Sequence, residues 1–230
     1  MYINYYLLGI IVLPGILLAL FAQTKVQTTF QKYATVVSNT GKPAHEIARI
    51  FLDNAGLTDV RIVRTHGHLT DYYNHRKKIL ALSEEVYDSS SLSAVGVACH
   101  EVGHALQFKT NYIPIKVRNL IIPLCNLANN LLWIFILIGA LFYYSNLIWA
   151  GVIVFALSVL LNLVTLPVEY NASKRAVAML GNTGIFSEEE IGATKNVLNA
   201  AALTYVAGLI ISILNLLRFV FAIILSRKRD

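Results

Sequence analysis

His100, Glu101 and His104 stand in the order H-E-x-x-H within "VACHEVGHALQ", residues 97–107. Residues four apart on a helix share one face, so both imidazoles can offer a ring nitrogen to one divalent ion. Glu101 lies beside them, where it can accept a proton from water activated by that ion. A catalytic zinc takes a third protein ligand and keeps a fourth position open for water. The candidate for that third ligand is Glu169 in "LPVEYNASKRA", residues 166–176, the sole acidic residue from there until Glu188. A surface ion pair with Lys174 or Arg175 is the alternative reading of Glu169. His66 and His68 could form a second metal pair, but Gly67 between them reads more simply as a turn.

The elements that must position these residues sit in an unusually apolar chain. Of 230 residues 56% are hydrophobic and 14% charged, and the mean hydropathy is +0.59. This composition points to a membrane protein. Four apolar runs, 10–22, 120–144, 147–166 and 203–225, are read as spans. The first lacks a basic leader and a clear cleavage pair, so it reads as a retained anchor. The expected class is a mainly α membrane protein with four transmembrane helices plus a small α+β zincin-like domain built from two separated segments. Its expected layout is an anchor over 1–23, a polar domain over 24–118, a transmembrane hairpin over 119–166, a polar helical segment over 167–202 and a last span over 203–226. All six histidines fall in the first polar segment. Two spans lie between the polar segments, which puts both on one side of the membrane.

Within the polar domain, "PAHEIARIFLDN" (43–54) reads as a one-faced helix closed by Gly56. "VRIVRT" (60–65) and "KILALS" (78–83) read as strands, the second as an edge strand that could pair with an extended substrate backbone. "DSSS" (88–91) caps a helix over 92–108 that carries the motif, and Ser187 with Glu190 makes a capping box before the last helix. Pro167 fits the first turn of a new helix or a kink at the end of the third run. Asn162 and Asn215 are read as interhelical hydrogen-bonding groups. Cys99 and Cys125 read as small packed hydrophobes. His45 and His75 read as exposed side chains.

The net charge of +6 is met by anionic lipid headgroups, and no interleaved basic and aromatic surface indicates nucleic acid. Lys25, Lys32, Lys116, Arg118, Lys174 and Arg175 flank the spans on the motif's side, which favours a cytoplasmic active-site face in a multi-pass cell-membrane protein; Arg227, Lys228 and Arg229 argue the other way. Homo-oligomerisation is left open.

"GHLTDYYNHRKKILALSEEVY", "AVGVACHEVGHALQ" and "PVEYNASKRAVAML" together resemble the YugP-type neutral zinc metallopeptidases of bacterial membranes, along nearly the whole chain. That family is similar in layout to the HtpX-type membrane proteases, which are gluzincins. The resemblance implies one zinc ion held by His100, His104 and Glu169, with Glu101 as catalytic base. It implies a membrane-embedded endopeptidase acting on membrane or membrane-proximal polypeptides. One departure stands out: where the HtpX-like pattern has an Asp four residues after the ligand glutamate, this chain has Ser173. Orientation of the imidazoles then falls to Ser173, Asn171 or a backbone carbonyl. Arg175, Tyr72 and His66 are candidate donors to the oxyanion, Arg175 first because it follows Glu169 on the same helix. The competing class is a non-catalytic zinc-binding membrane scaffold, against which Glu101 argues, since a structural site closes its fourth position and needs no base. A small transporter would show repeat symmetry, which is absent from the sequence.

Overall fold

The computed structural model describes residues 9–142 and 148–227. Residues 1–8, 143–147 and 228–230 lie outside this range. In chain order the elements are α1 (Leu13–Ala34), α2 (Ala44–Asn54), β1 (Arg61–Thr65), β2 (Tyr72–Asn74), β3 (Ile79–Ser83), α3 (Glu84–Tyr87), α4 (Leu92–Lys109), α5 (Ile113–Phe142), α6 (Ile148–Asn182) and α7 (Glu188–Arg227). They form two compact units. One comprises the described parts of Met1–Ala22, Pro114–Pro167 and Thr204–Asp230; the other comprises Gln23–Ile113 and Val168–Leu203.

The first unit is helical and greasy on its outside. Two helical stretches among the described residues are long and apolar enough to cross a membrane, Trp149–Asn182 and Glu188–Phe221, each of 34 residues. This corrects the expectation of four transmembrane helices. In α1 the described apolar part ends at Ala22, before Gln23, Thr24, Lys25, Gln27, Thr28 and Thr29, and is shorter than the ~20 residues that a crossing needs. The described part of α5 carries Lys116, Arg118 and Asn119 and then Asn126, Asn129 and Asn130. Pro167 sits inside α6, which continues through it to Asn182 and starts no new helix there. Asn162 and Asn215 donate to the carbonyls of Ser158 and Ile211, each one turn back on its own helix. Among the described residues neither makes the hydrogen bond to a neighbouring helix that the sequence suggested. Phe155 stacks on Phe219 at 4.9 Å between ring centres, and Gly151 leaves room for the latter ring.

The second unit carries the three-stranded sheet, in the order β1-β3-β2. β3 pairs in parallel with β1, Arg61 opposite Ile79 through Thr65 opposite Ser83, and antiparallel with β2, Tyr72 opposite Ala81. It is thus the central strand. Its backbone is engaged on both sides, so the expectation that "KILALS" is a free edge for substrate is corrected. Leu80, Ala81, Leu82 and Ser83 are all buried, and a strand covered on both faces reads as a continuous apolar run rather than an alternating one. β2 was hidden in sequence because three residues of a polar, turn-rich stretch carry no period.

The core of this unit gathers around α4. Ala94, Val95, Ala98, Cys99, Val102 and Ala105 on α4 meet Ile47, Phe51 and Leu52 of α2, Leu80 and Leu82 of β3, Ala176 and Leu180 of α6 and Leu198 of α7. Burying each large apolar side chain contributes about 1.5–3 kcal/mol. Ser91 caps α4 by accepting the N–H of Ala94 at 3.3 Å. Ser187 and Glu190 cap α7 reciprocally, at 2.8 and 3.3 Å. Burial holds the Cys99 thiol well above its ordinary range. His45 stacks on Tyr87 and His75 on Phe108, with ring centres 4.3 and 4.2 Å apart.

Small residues on α4 let α6 and α7 come close. A methyl group placed on Gly103 would lie 2.5 Å from the carbonyl oxygen of Ala172, and one on Gly96 would lie 3.0 Å from the Thr194 side chain. The Gly103 contact is with backbone and cannot yield by a side-chain rotation. Gly103→Ala is therefore expected to destabilise the second unit by about 1–3 kcal/mol. Gly192 of α7, which meets nothing within 4 Å, is the matched control: Gly192→Ala is expected to stabilise by about 0.5–1 kcal/mol. Thermal denaturation of the two variants checks the pair, and equal effects would refute the close-packing account.

Candidate metal centre

α4 presents His100 and His104 one turn apart, and the part of α6 beyond Pro167 presents Glu169. The nearest donor atoms of His100, Glu101 and His104 lie within 4.8 Å of one another. Both histidine Nε2 atoms converge on one oxygen of Glu169, Oε2, at 3.2 Å from His100 and 3.4 Å from His104. The imidazoles stand edge to face with ring centres 4.7 Å apart. Glu169 is 2% exposed and Glu101 7%.

The donor set fits a zinc ion. In a tetrahedral site with bonds of about 2.0–2.1 Å the donor atoms are separated by roughly 3.3–3.4 Å, which is the spacing found between each imidazole nitrogen and the carboxylate oxygen. Two nitrogens and one oxygen with a neighbouring acid is also the chemistry of an open zinc site.

Hydrogen bonds hold the far side of each ring. Gln107 donates through Nε2 to the carbonyl of Val168 at 2.7 Å and to Oδ1 of Asn171 at 3.1 Å. A carbonyl only accepts, so the amide is oriented with Oε1 toward His104, 3.0 Å from its Nδ1. His104 Nδ1 must then carry the hydrogen, which leaves Nε2 as the nitrogen available to an ion, or to a proton shared with Glu169. On the other ring, Ser173 Oγ lies 3.2 Å from His100 Nδ1. Asn171 touches neither ring in these bonds and acts through Gln107; its Oδ1 also accepts from Nε of Arg175 at 2.8 Å. Arg175 reaches on to Thr110 Oγ1 at 3.0 Å. Its guanidinium is thereby tied into the support of His104.

The other two sequence candidates lie on the sheet side. His66 is almost wholly exposed, paired with Glu84 at 2.6 Å, and His68 pairs with Glu85 at the same distance. The two rings therefore turn to separate acids. Tyr72 is half-exposed on β2. Gln107 was missed in sequence, although it stands three residues after His104 on the same face of the helix. Asp71 was missed too: it accepts from the N–H and hydroxyl of Ser83 at 2.7 and 3.1 Å, and burial raises its carboxyl above the ordinary value against those bonds.

Charge and burial set the proton affinities. Burial pushes the Glu101 carboxyl up; His104 and His100 pull it back in part, while Glu169 and Asp71 push further up. Burial alone would lower His104, but its hydrogen bond to Glu169, the charges of Glu101 and Glu169 and the bond to Gln107 outweigh that and raise it.

Comparison with known proteins follows the same line. Residues 8–224 match the family described as "Putative neutral zinc metallopeptidase". The chain is 41% identical over 213 residues to "Putative membrane protease YugP" of Bacillus subtilis (strain 168), covering 93% of this chain and 95% of that protein. No solved structure matches. Nearly the whole chain, with both the α4 and α6 segments of the site, lies within these matches, and the protein belongs to the neutral zinc metallopeptidase family.

Proposed function

We propose that the protein is a zinc-dependent endopeptidase in which His100, His104 and Glu169 hold one zinc ion and Glu101 is the general base, acting on membrane or membrane-proximal polypeptides. The observation that carries this reading is the convergence of two histidine Nε2 atoms on a single buried Glu169 oxygen, with the buried Glu101 beside them. Bound zinc supplies Lewis acidity, which acidifies water and polarises a carbonyl.

The chain's own residues do the rest. Gln107 and Ser173 keep the rings turned so that each offers its Nε2. Glu101 takes a proton from water as its oxygen adds to the peptide carbonyl carbon. It then delivers that proton to the amide nitrogen as the C–N bond breaks, so the base is regenerated. Burial keeps bulk water away and strengthens each of these interactions. Membrane action is supported by the two helices long and apolar enough to cross and by the relative named a membrane protease. Lys174 and Arg175 lie near the C-terminal end of the first of those helices, beyond its apolar run over 147–166, which favours a cytoplasmic position for the site.

Glu101→Gln is expected to retain zinc and lower kcat/KM by about 10²–10⁴-fold on labelled casein or a solubilised membrane protein; metal analysis alongside the cleavage assay checks both halves. Zinc retention with unchanged cleavage would remove Glu101 as base, and zinc without cleavage even in the wild type would leave a scaffold. Glu169→Ala is expected to reduce zinc content, and an undiminished stoichiometry would exclude Glu169 as a ligand. Gln107→Leu should weaken zinc binding by about 10–100-fold, measured by competition with a chromophoric chelator, and should also destabilise the metal-free protein by about 1–3 kcal/mol, because the Val168 carbonyl and His104 Nδ1–H lose a buried partner. Zinc binding should also fall with acid. His104 holds its proton more tightly than an ordinary imidazole, so protons compete with the metal from above about pH 6.5 downward. A chelator titration across pH 5–8 in which the zinc affinity stayed constant until well below pH 6.5 would contradict this.

A further inference from the structure

The second unit contains a cleft apart from the metal centre, between α1 and α7, with a volume of about 410 Å³. Lys25 and Lys32 line it from α1, and Asn196 and Asn199 from α7. The two lysines are seven residues apart and share a helix face, with Thr29 between them; their backbone positions lie roughly 10 Å apart along the axis. Side chains of that length can close from both ends on one small anion seated at Thr29. No carboxylate lines the cleft. Among the described residues neither lysine is in an ion pair.

The walls are held in place independently of any ligand. Asn196 donates to Tyr33 Oη at 3.2 Å, which ties α7 to α1 at the cleft. One turn and a half earlier on α7, Glu190 accepts from the backbone and side chain of Asn39 at 2.7 and 2.8 Å. The cleft is therefore a fixed cationic groove. Its floor turns apolar at Ala200 and Leu203, and from Leu203 α7 continues into the apolar run over 203–225.

We propose that this cleft binds a phosphate group, as borne by an anionic lipid headgroup or by a free phosphate anion, with Lys25 and Lys32 neutralising it and Thr29 and Asn199 donating hydrogen bonds. Lysine is a good phosphate partner as a point charge, and basic pockets beside membrane helices are suited to anionic headgroups. The two lysines, with no carboxylate in the lining to offset them, disfavour a zwitterionic headgroup, whose ammonium would face them. The apolar floor favours the lipid as the source, since acyl or glycerol carbons can rest there.

The test uses the full chain in neutral detergent, titrated with short-chain phosphatidylglycerol below its micelle concentration, with short-chain phosphatidylcholine and with inorganic phosphate, read by calorimetry. Saturable phosphatidylglycerol binding is expected, weakened at least about tenfold in Lys25→Gln/Lys32→Gln. Lys42→Gln/Lys77→Gln removes the same charge elsewhere and should leave binding unchanged. Asn199→Leu fills the groove without altering charge and should also weaken binding, which keeps the test valid if the lysine variant unfolds. Inorganic phosphate binding as tightly as the lipid would uphold the phosphate site and assign it to the free anion. Equal loss in both lysine pairs, or no saturable binding of either anion, would overturn the proposal.

Discussion

The contact on which the site depends is made by backbone: α4 and α6 touch where Gly103 meets the carbonyl of Ala172, with no room for even a methyl group. Glu169 is three residues before Ala172, and His104 follows Gly103. The distance between helix axes therefore sets the distance between the imidazoles and the carboxylate. A small increase in that separation would leave the 3.2 and 3.4 Å donor spacing too wide for bonds of about 2.0–2.1 Å to a common ion. The row of small residues along α4, which keeps its core apolar without bulk, is thus part of the chemistry.

Electrostatics add a second constraint. Two carboxyls and two imidazoles share a space largely closed to water, and each is costly there unless paired. Glu169 meets both rings; Gln107 and Ser173 meet the opposite ring nitrogens. Support continues outward through Asn171 and Arg175 to Thr110. Removing an outer member loosens a ring several bonds away, because each amide is fixed by the acceptor behind it.

Much of the motif helix was legible because a four-residue spacing has one meaning on a helix, and its serine cap and apolar run are local features. The position of Glu169 beside the rings is a long-range fact, 69 residues from His100, for which the sequence offered the scarcity of other acids, two polar segments on one side of the apolar runs, and a family resemblance. Gln107 was illegible for a different reason: a glutamine on an apolar helix has no pattern, and its role exists only once Val168 supplies the acceptor. The edge-strand reading of "KILALS" failed because strand order is invisible in sequence, and its poor alternation was the available sign that both faces are covered. The expected four spans are not met either: among the described residues two helical stretches, Trp149–Asn182 and Glu188–Phe221, are long and apolar enough to cross.

Cys99 immediately precedes His100 and is wholly enclosed by the core, where burial keeps its thiol neutral. Sulfur binds soft metals only as thiolate. A neutral thiol is a poor competitor for an ion, so the donors left to the proposed zinc are two nitrogens and an oxygen. The same enclosure shields the sulfur from oxidants, so the packing around α4 does not hinge on whether the surroundings are reducing.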